Sequence, residues 1–135
     1  MRHLFIPFFG AVTIAIILHF TTASAYYPQS YCGYNRSHNF FYGKKSLYDR
    51  LLYTNRTVRG ASPYNPVTRL DVQFPPKWQP PRGIIYYIEV LDNYRDGLGA
   101  CATLSYGGIG RRNATVTLMS NPNHPIDSTI NVYGK

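Results

Sequence analysis

The chain has 135 residues, with 14 Lys and Arg against 6 Asp and Glu, a net charge of +8. A chain of this length holds one domain with a modest core, which excludes an architecture of several large domains. The positive balance draws the protein towards anionic glycans, membranes or nucleic acid, and bears on partners rather than on fold.

Arg2 and His3 precede an apolar run from Leu4 to Phe20, broken by Pro7, Gly10, Thr13 and His19. Ala23-Ser24-Ala25 follows as a small-x-small site for signal peptidase. The competing reading is a membrane anchor, but the run is at the lower limit for a bilayer span and is interrupted. A cleaved signal peptide over residues 1–25 is therefore expected. It leaves a secreted, extracellular chain from Tyr26 with no stable membrane span.

Residues 26–36 read as an N-terminal arm and 37–135 as a single β domain. Cys32 in the arm and Cys101 are the 2 cysteines of the chain, and in an oxidising compartment they read as one disulfide. Closing a loop that long stabilises by about 4 kcal/mol in the chain-entropy model. A free-thiol nucleophile is the alternative, and it would need a His partner. Asn35-Arg36-Ser37, Asn55-Arg56-Thr57 and Asn113-Ala114-Thr115 are sequons for N-glycosylation. In a strand, residues i and i+2 share a face, so a glycan on Asn55 or Asn113 requires that face to meet solvent.

A short strand fits Asn39 to Tyr42, and longer ones fit Leu47 to Val58 and Val67 to Phe74. The segment Pro75-Pro76-Lys77-Trp78-Gln79-Pro80-Pro81-Arg82 cannot join a ladder, because four of its residues lack an N–H. It is expected to be an extended connection. Trp78, the only Trp in the chain, is expected to fold back and plug an edge of the core; otherwise it is an exposed contact residue. Ile84 to Leu91 is apolar on both faces apart from Glu89, which predicts a central, doubly covered strand.

Further on, Leu98, Ala100, Ala102 and Leu104 alternate with Gly99, Cys101, Thr103 and Ser105. That places Cys101 on the polar face, where a disulfide would tie the arm across the outside. Ala114, Val116 and Leu118 alternate with Asn113, Thr115 and Thr117, and Ile126, Ile130 and Val132 with Asp127, Thr129 and Asn131. Turn signals at Gly43-Lys44-Lys45, Gly60 to Pro63, Asp96-Gly97, Gly107 to Gly110 and Asn121 to Asn123 separate these runs. About seven short strands predict an all-β, antiparallel sandwich or barrel-like domain.

The chemistry-bearing candidates are few. Asp92 to Gly97 starts like a calcium loop, but Tyr94 and Thr103 stand where oxygen ligands should. Gly108-Ile109-Gly110-Arg111-Arg112-Asn113 lacks the third Gly and the helix of a dinucleotide loop; it reads as a hairpin turn where Arg111 and Arg112 could meet an anion. His38 and His124 lie in turn-like or terminal segments, with no nucleophile motif or zinc spacing nearby. No catalytic set, metal or cofactor is expected. The 13 tyrosines suit half-buried strands, and beside Lys44, Lys45 and Arg95 they also suit a binding surface.

Ser37-His38-Asn39 with Gly43, then Asp49-Arg50-Leu51-Leu52, begin a resemblance that strengthens through residues 87–120. There an Asp precedes an aromatic and a Gly-x-Gly, followed by a small-residue strand, a Gly-Gly-x-Gly turn and an apolar strand ending in Ser. Residues 128–135 complete it. Over Ser37 to Lys135 the chain resembles the insect family named both for probable salivary secreted peptides and for the second multiprotein bridging factor, a transcription co-activator. The double-proline segment and Arg111-Arg112 depart from that pattern. The resemblance implies no catalytic residues. It implies two incompatible settings, nuclear bridging of transcription factors or secretion.

The signal peptide, sequons and disulfide favour secretion. The expected function is a secreted, non-enzymatic glycoprotein that binds a protein, a glycan or an anionic surface, with Arg111, Arg112, Lys44, Lys45 and Trp78 as contact residues. Nucleic acid is not expected as its partner. The alternatives are an intracellular co-activator and a small extracellular ligand carrier with a hollow core.

Overall fold

The computed structural model describes residues 38–135; the expected signal peptide and N-terminal arm, with Cys32 and Asn35, lie outside them. Among the described residues there are seven strands and no helix: β1 (Phe40–Gly43), β2 (Arg50–Arg59), β3 (Arg69–Phe74), β4 (Ile85–Asp92), β5 (Cys101–Gly107), β6 (Ala114–Met119) and β7 (Ile126–Gly134). They pair antiparallel in two sheets, one ordered β1-β4-β7-β2 and the other β3-β6-β5. The period-2 patterning predicts this all-β architecture.

Alternation decides which side chains fill the space between the sheets. Along β7, Ile126, Ile130 and Val132 are buried, while Asp127, Thr129, Asn131 and Tyr133 on the other face are half-buried. Ile88 and Val90 from β4 and Ala114, Val116 and Leu118 from β6 join them in one aliphatic core. Tyr42 ties the layers together: its hydroxyl donates to the Ala102 carbonyl at 3.4 Å and accepts from the Leu104 N–H at 3.2 Å. At the far edge the Tyr53 ring packs on Phe74 at 5.3 Å. The ligand-carrier reading requires a hollow interior, and this core occupies that space.

β4 is central in its sheet, as expected, but it is not doubly covered. Its outer residues Tyr87, Glu89 and Leu91 are half-buried. Neighbouring side chains shield them instead of a third layer. Tyr87 stacks with Phe41 at 6.5 Å and tilts against Tyr133 at 5.9 Å, while Glu89 Oε1 accepts from Tyr133 Oη and Asn131 Nδ2. Trp78 also departs from expectation. It is 82% exposed and plugs no edge, and the buried residues at the end of β3 are Phe74 and Pro75.

The strand expected from Leu47 begins only at Arg50. Asp49 closes a turn there, its carboxylate accepting from the Ser46 N–H at 2.7 Å and its own N–H donating to the Ser46 carbonyl at 3.1 Å. Register shifts interrupt the ladders between Leu51 and Tyr53, Ile85 and Tyr87, and Leu104 and Tyr106. Bulges of this kind twist a strand and re-aim its side chains. Within each sheet the pairing is antiparallel, and the Ile85 hydrogen bonds to Arg111 and Gly110 set the β5–β6 turn beside the start of β4, so odd-numbered strands run one way and even-numbered strands the other. The β1–β2, β3–β4 and β5–β6 connections and the residue after β7 therefore share one end, here called the upper end. All three register shifts lie near it.

Candidate functional site

The upper end is built on backbone hydrogen bonds. The Ile84 N–H donates to the Lys135 carbonyl at 2.7 Å, and the Lys135 N–H returns one at 3.1 Å. Ile85 holds the β5–β6 turn: its N–H donates to the Arg111 carbonyl and its carbonyl accepts from Gly110, both at 2.8 Å. The Lys44 N–H donates to the Tyr86 carbonyl at 3.3 Å. Gly43, at φ +79°, permits that approach, since a Cβ there would overlap the same carbonyl and press on Ile109. Tyr86 is the extra residue of the β4 bulge, and its ring faces Lys135 Nζ at 5.6 Å.

These connections carry the charge. Lys44 and Lys45 lie in the β1–β2 connection and Arg50 at the start of β2. Lys77 and Arg82 lie in the β3–β4 connection, Arg111 and Arg112 in the β5–β6 turn, and Lys135 follows β7. Opposing them at this end is Asp49, already engaged by Ser46. Among the described residues, none of these cations forms an ion pair. Lys45 Nζ sits 3.7 Å over the Tyr133 ring. Its contact with the Tyr133 side chain, ahead of the nearby Glu89 charge, raises its pKa above the usual lysine value.

A recess of about 740 Å³ opens between Ile84 and the β5–β6 turn, lined by Tyr106, Gly107, Gly110, Arg111, Arg112 and Asn113. It combines two guanidinium groups with an exposed tyrosine ring, an arrangement suited to an anion with an apolar neighbour. The five contact residues expected from sequence, Lys44, Lys45, Trp78, Arg111 and Arg112, all lie at this end. Sequence reasoning missed Arg50, Lys77, Arg82 and Lys135. The missing signal was the strand count, since alternate connections of an all-antiparallel chain share an end.

The remaining sites are dispersed. Asn113 is exposed at the rim of the recess. Asn55 instead pairs with Ile130 on the core-facing side of β2, half-buried, with Nδ2 donating to Thr57 Oγ1 at 3.2 Å. Cys101 opens β5 on the face opposite Ala102, half-buried, and no cysteine among the described residues is free.

At the opposite end lies a closed polar clasp. His38 Nδ1–H donates to the Gly99 carbonyl at 2.9 Å and stands 3.8 Å from Asp92 Oδ2, with the two side chains only 3% and 1% exposed. Asn39 Oδ1 accepts from the Asp92 N–H, Asn121 Nδ2 donates to the same Gly99 carbonyl, and Asp92 Oδ1 accepts from Tyr94 N–H. A Cβ on Gly99 would overlap the Asp92 carboxylate. Burial, the largest influence, pushes the Asp92 pKa up; the Tyr94 N–H and the His38 ring oppose it. The clasp joins His38-Asn39 to the Asp and Gly-x-Gly of residues 92–99, so those motif residues hold structure. A substrate could not reach the sealed His–Asp pair. Among the described residues no cluster of three or more His, Cys, Asp or Glu is placed to hold a metal ion.

Residues 42–134 match the family model described as Transcription activator MBF2. The chain is also 30% identical over 101 residues to a probable salivary secreted peptide from Bombus ignitus, a match spanning 75% of this chain and 72% of that protein. No solved structure matches. The matched stretch runs through all seven strands, from within β1 to the end of β7, and on that ground the chain belongs to the Transcription activator MBF2 family.

Proposed function

We propose that this protein is a secreted, non-enzymatic glycoprotein that binds an anionic macromolecule or surface through the upper end of its sandwich. The observation that carries this reading is the gathering, at one end, of cations without ion pairs on three connections and of exposed rings at Tyr48, Trp78 and, in β5, Tyr106. Elsewhere the charge is mixed: Asp127 takes both nitrogens of the Arg56 fork at 2.9 and 2.7 Å, and Arg69 lies 3.6 Å from Asp71. A concentrated excess of one sign raises the local concentration of oppositely charged ligands and steers their encounter.

The name of the Bombus ignitus relative supports secretion, and the description of the family favours a second reading, a transcription co-activator. Ala23-Ser24-Ala25 and the sequons Asn35, Asn55 and Asn113 support the first. Binding to immobilised heparin at rising salt tests the proposal. Arg111→Glu with Arg112→Glu should weaken retention about tenfold or more and flatten its salt dependence. Equal retention of the charge-reversed and unaltered proteins would overturn it.

A further inference from the structure

The upper end carries more than charge. Leu47 is 100% exposed and Tyr48 83% exposed in the β1–β2 connection, Trp78 is 82% exposed in the β3–β4 connection, and Ile109 is 43% exposed at the tip of the β5–β6 turn. Large apolar side chains at the tips of three alternate connections are costly to leave in water, and a site selecting only a soluble polyanion gains nothing from them. Trp and Tyr favour the boundary between hydrocarbon and water, where the ring is apolar and its N–H or O–H stays hydrated. Lys and Arg beside them reach the anionic headgroups while their stems lie along apolar surface.

Resting on the proposed anion-binding reading, we infer that the surface recognised is an anionic phospholipid bilayer. The tips seat Leu47, Trp78 and Ile109 among the headgroups and upper acyl chains, and Lys44, Arg111 and Arg112 contact lipid phosphates. Charge complementarity selects the anionic bilayer, and the apolar tips select a bilayer over a soluble polyanion. The β ladders remain outside the hydrocarbon, as backbone groups of an open sheet must. Turns fixed by the Asp49–Ser46 and Ile85–Arg111 hydrogen bonds present the tips, so docking does not require them to order first.

Trp78 is the only tryptophan of the chain and reports directly on insertion. The full secreted protein is mixed with vesicles of phosphatidylcholine alone or of phosphatidylcholine with an equal share of phosphatidylserine. Sedimentation with the vesicles and Trp78 emission are followed, with heparin retention measured in parallel. The expected result is sedimentation with the phosphatidylserine vesicles alone, with a blue shift of Trp78 emission. Leu47→Ser should weaken vesicle binding about tenfold and leave heparin retention and the unfolding midpoint unchanged, because Leu47 is fully exposed. Sedimentation without a blue shift, and with no effect of Leu47→Ser, would overturn insertion while leaving the anion-binding reading in place. So would heparin retention without vesicle binding. Failure to bind either would overturn both.

Discussion

Gly99 has no room for a side chain because the Asp92 carboxylate occupies the space, which makes the two residues one unit. Gly99→Ala is expected to destabilise the fold by about 2 kcal/mol or more through overpacking. Asp92→Ala combined with Gly99→Ala should cost less than the sum of the single changes, because the double variant removes the overlap; urea unfolding of all four proteins checks this coupling. Asp92 also sets a pH dependence. Its folded pKa lies above the unfolded value because burial disfavours the charge. Its contribution to stability is therefore full below about pH 4 and is lost as pH rises through the folded value. Asp127 has the opposite sign. The Arg56 guanidinium holds its carboxyl below the ordinary value, so its contribution is present above that value and lost as pH falls through the lowered one. Urea midpoints from acid to neutral pH should show Asp92→Asn removing the decline with rising pH, and Asp127→Asn removing part of the decline towards acid.

At the scale of elements, β7 and β4 carry the core. They are the two inner strands of the four-stranded sheet, and both alternate cleanly after their shared register shift. Ile88 is completely buried between the sheets, so Ile88→Ala should cost about 3 kcal/mol, read as a shift in the urea midpoint with little change in slope. Strand existence was legible in the sequence wherever one face alone was apolar, as in β6 and β7. It misled where aromatic residues occupied both faces. Ile84 to Leu91 suggests two covered faces, yet Tyr87 and Leu91 are only half-buried, and Tyr87 shares its cover with Phe41 and Tyr133. A tyrosine at a strand position does not reveal which layer it faces, because its ring and hydroxyl suit either. Leu47 misled because its apolar side chain reads as the start of a strand, whereas Ser46 and Asp49 on either side close a turn that leaves it in solvent.

For the whole molecule, the charge has an axis. The upper end is strongly positive, whereas Asp92, Asp96 and Asp127 lie towards the other end with Arg59, Arg69 and Arg95. The proposed secretory route is checked by the intact mass of the native protein, before and after glycosidase and reductant. A chain starting at Tyr26, carrying removable glycan and gaining two hydrogens on reduction, is the expected result. A full-length, unglycosylated chain with free thiols would favour the co-activator instead. Asn113 is exposed at the rim of the recess beside Arg111 and Arg112, so a glycan there would shield those side chains, and its removal by glycosidase should strengthen heparin and vesicle binding. A glycan on Asn55 would have to leave from the core-facing side of β2.

By itself the sequence determined that the chain forms strands, the inward and outward faces of those with one apolar face such as β6 and β7, and the excess of positive charge, because alternation and composition are local properties that survive in any fold of the chain. It also singled out five residues as expected contacts, in separate Lys-Arg and tryptophan segments. Only the tertiary structure decided that those segments meet. Pairing of the strands brought Lys44, Trp78 and Arg111 to one end and His38, Asp92 and Gly99 to the other, across sequence separations that no local pattern records. The same pairing exposed Trp78 and buried Asp92, since burial depends on what another part of the chain lays over a residue rather than on its immediate neighbours.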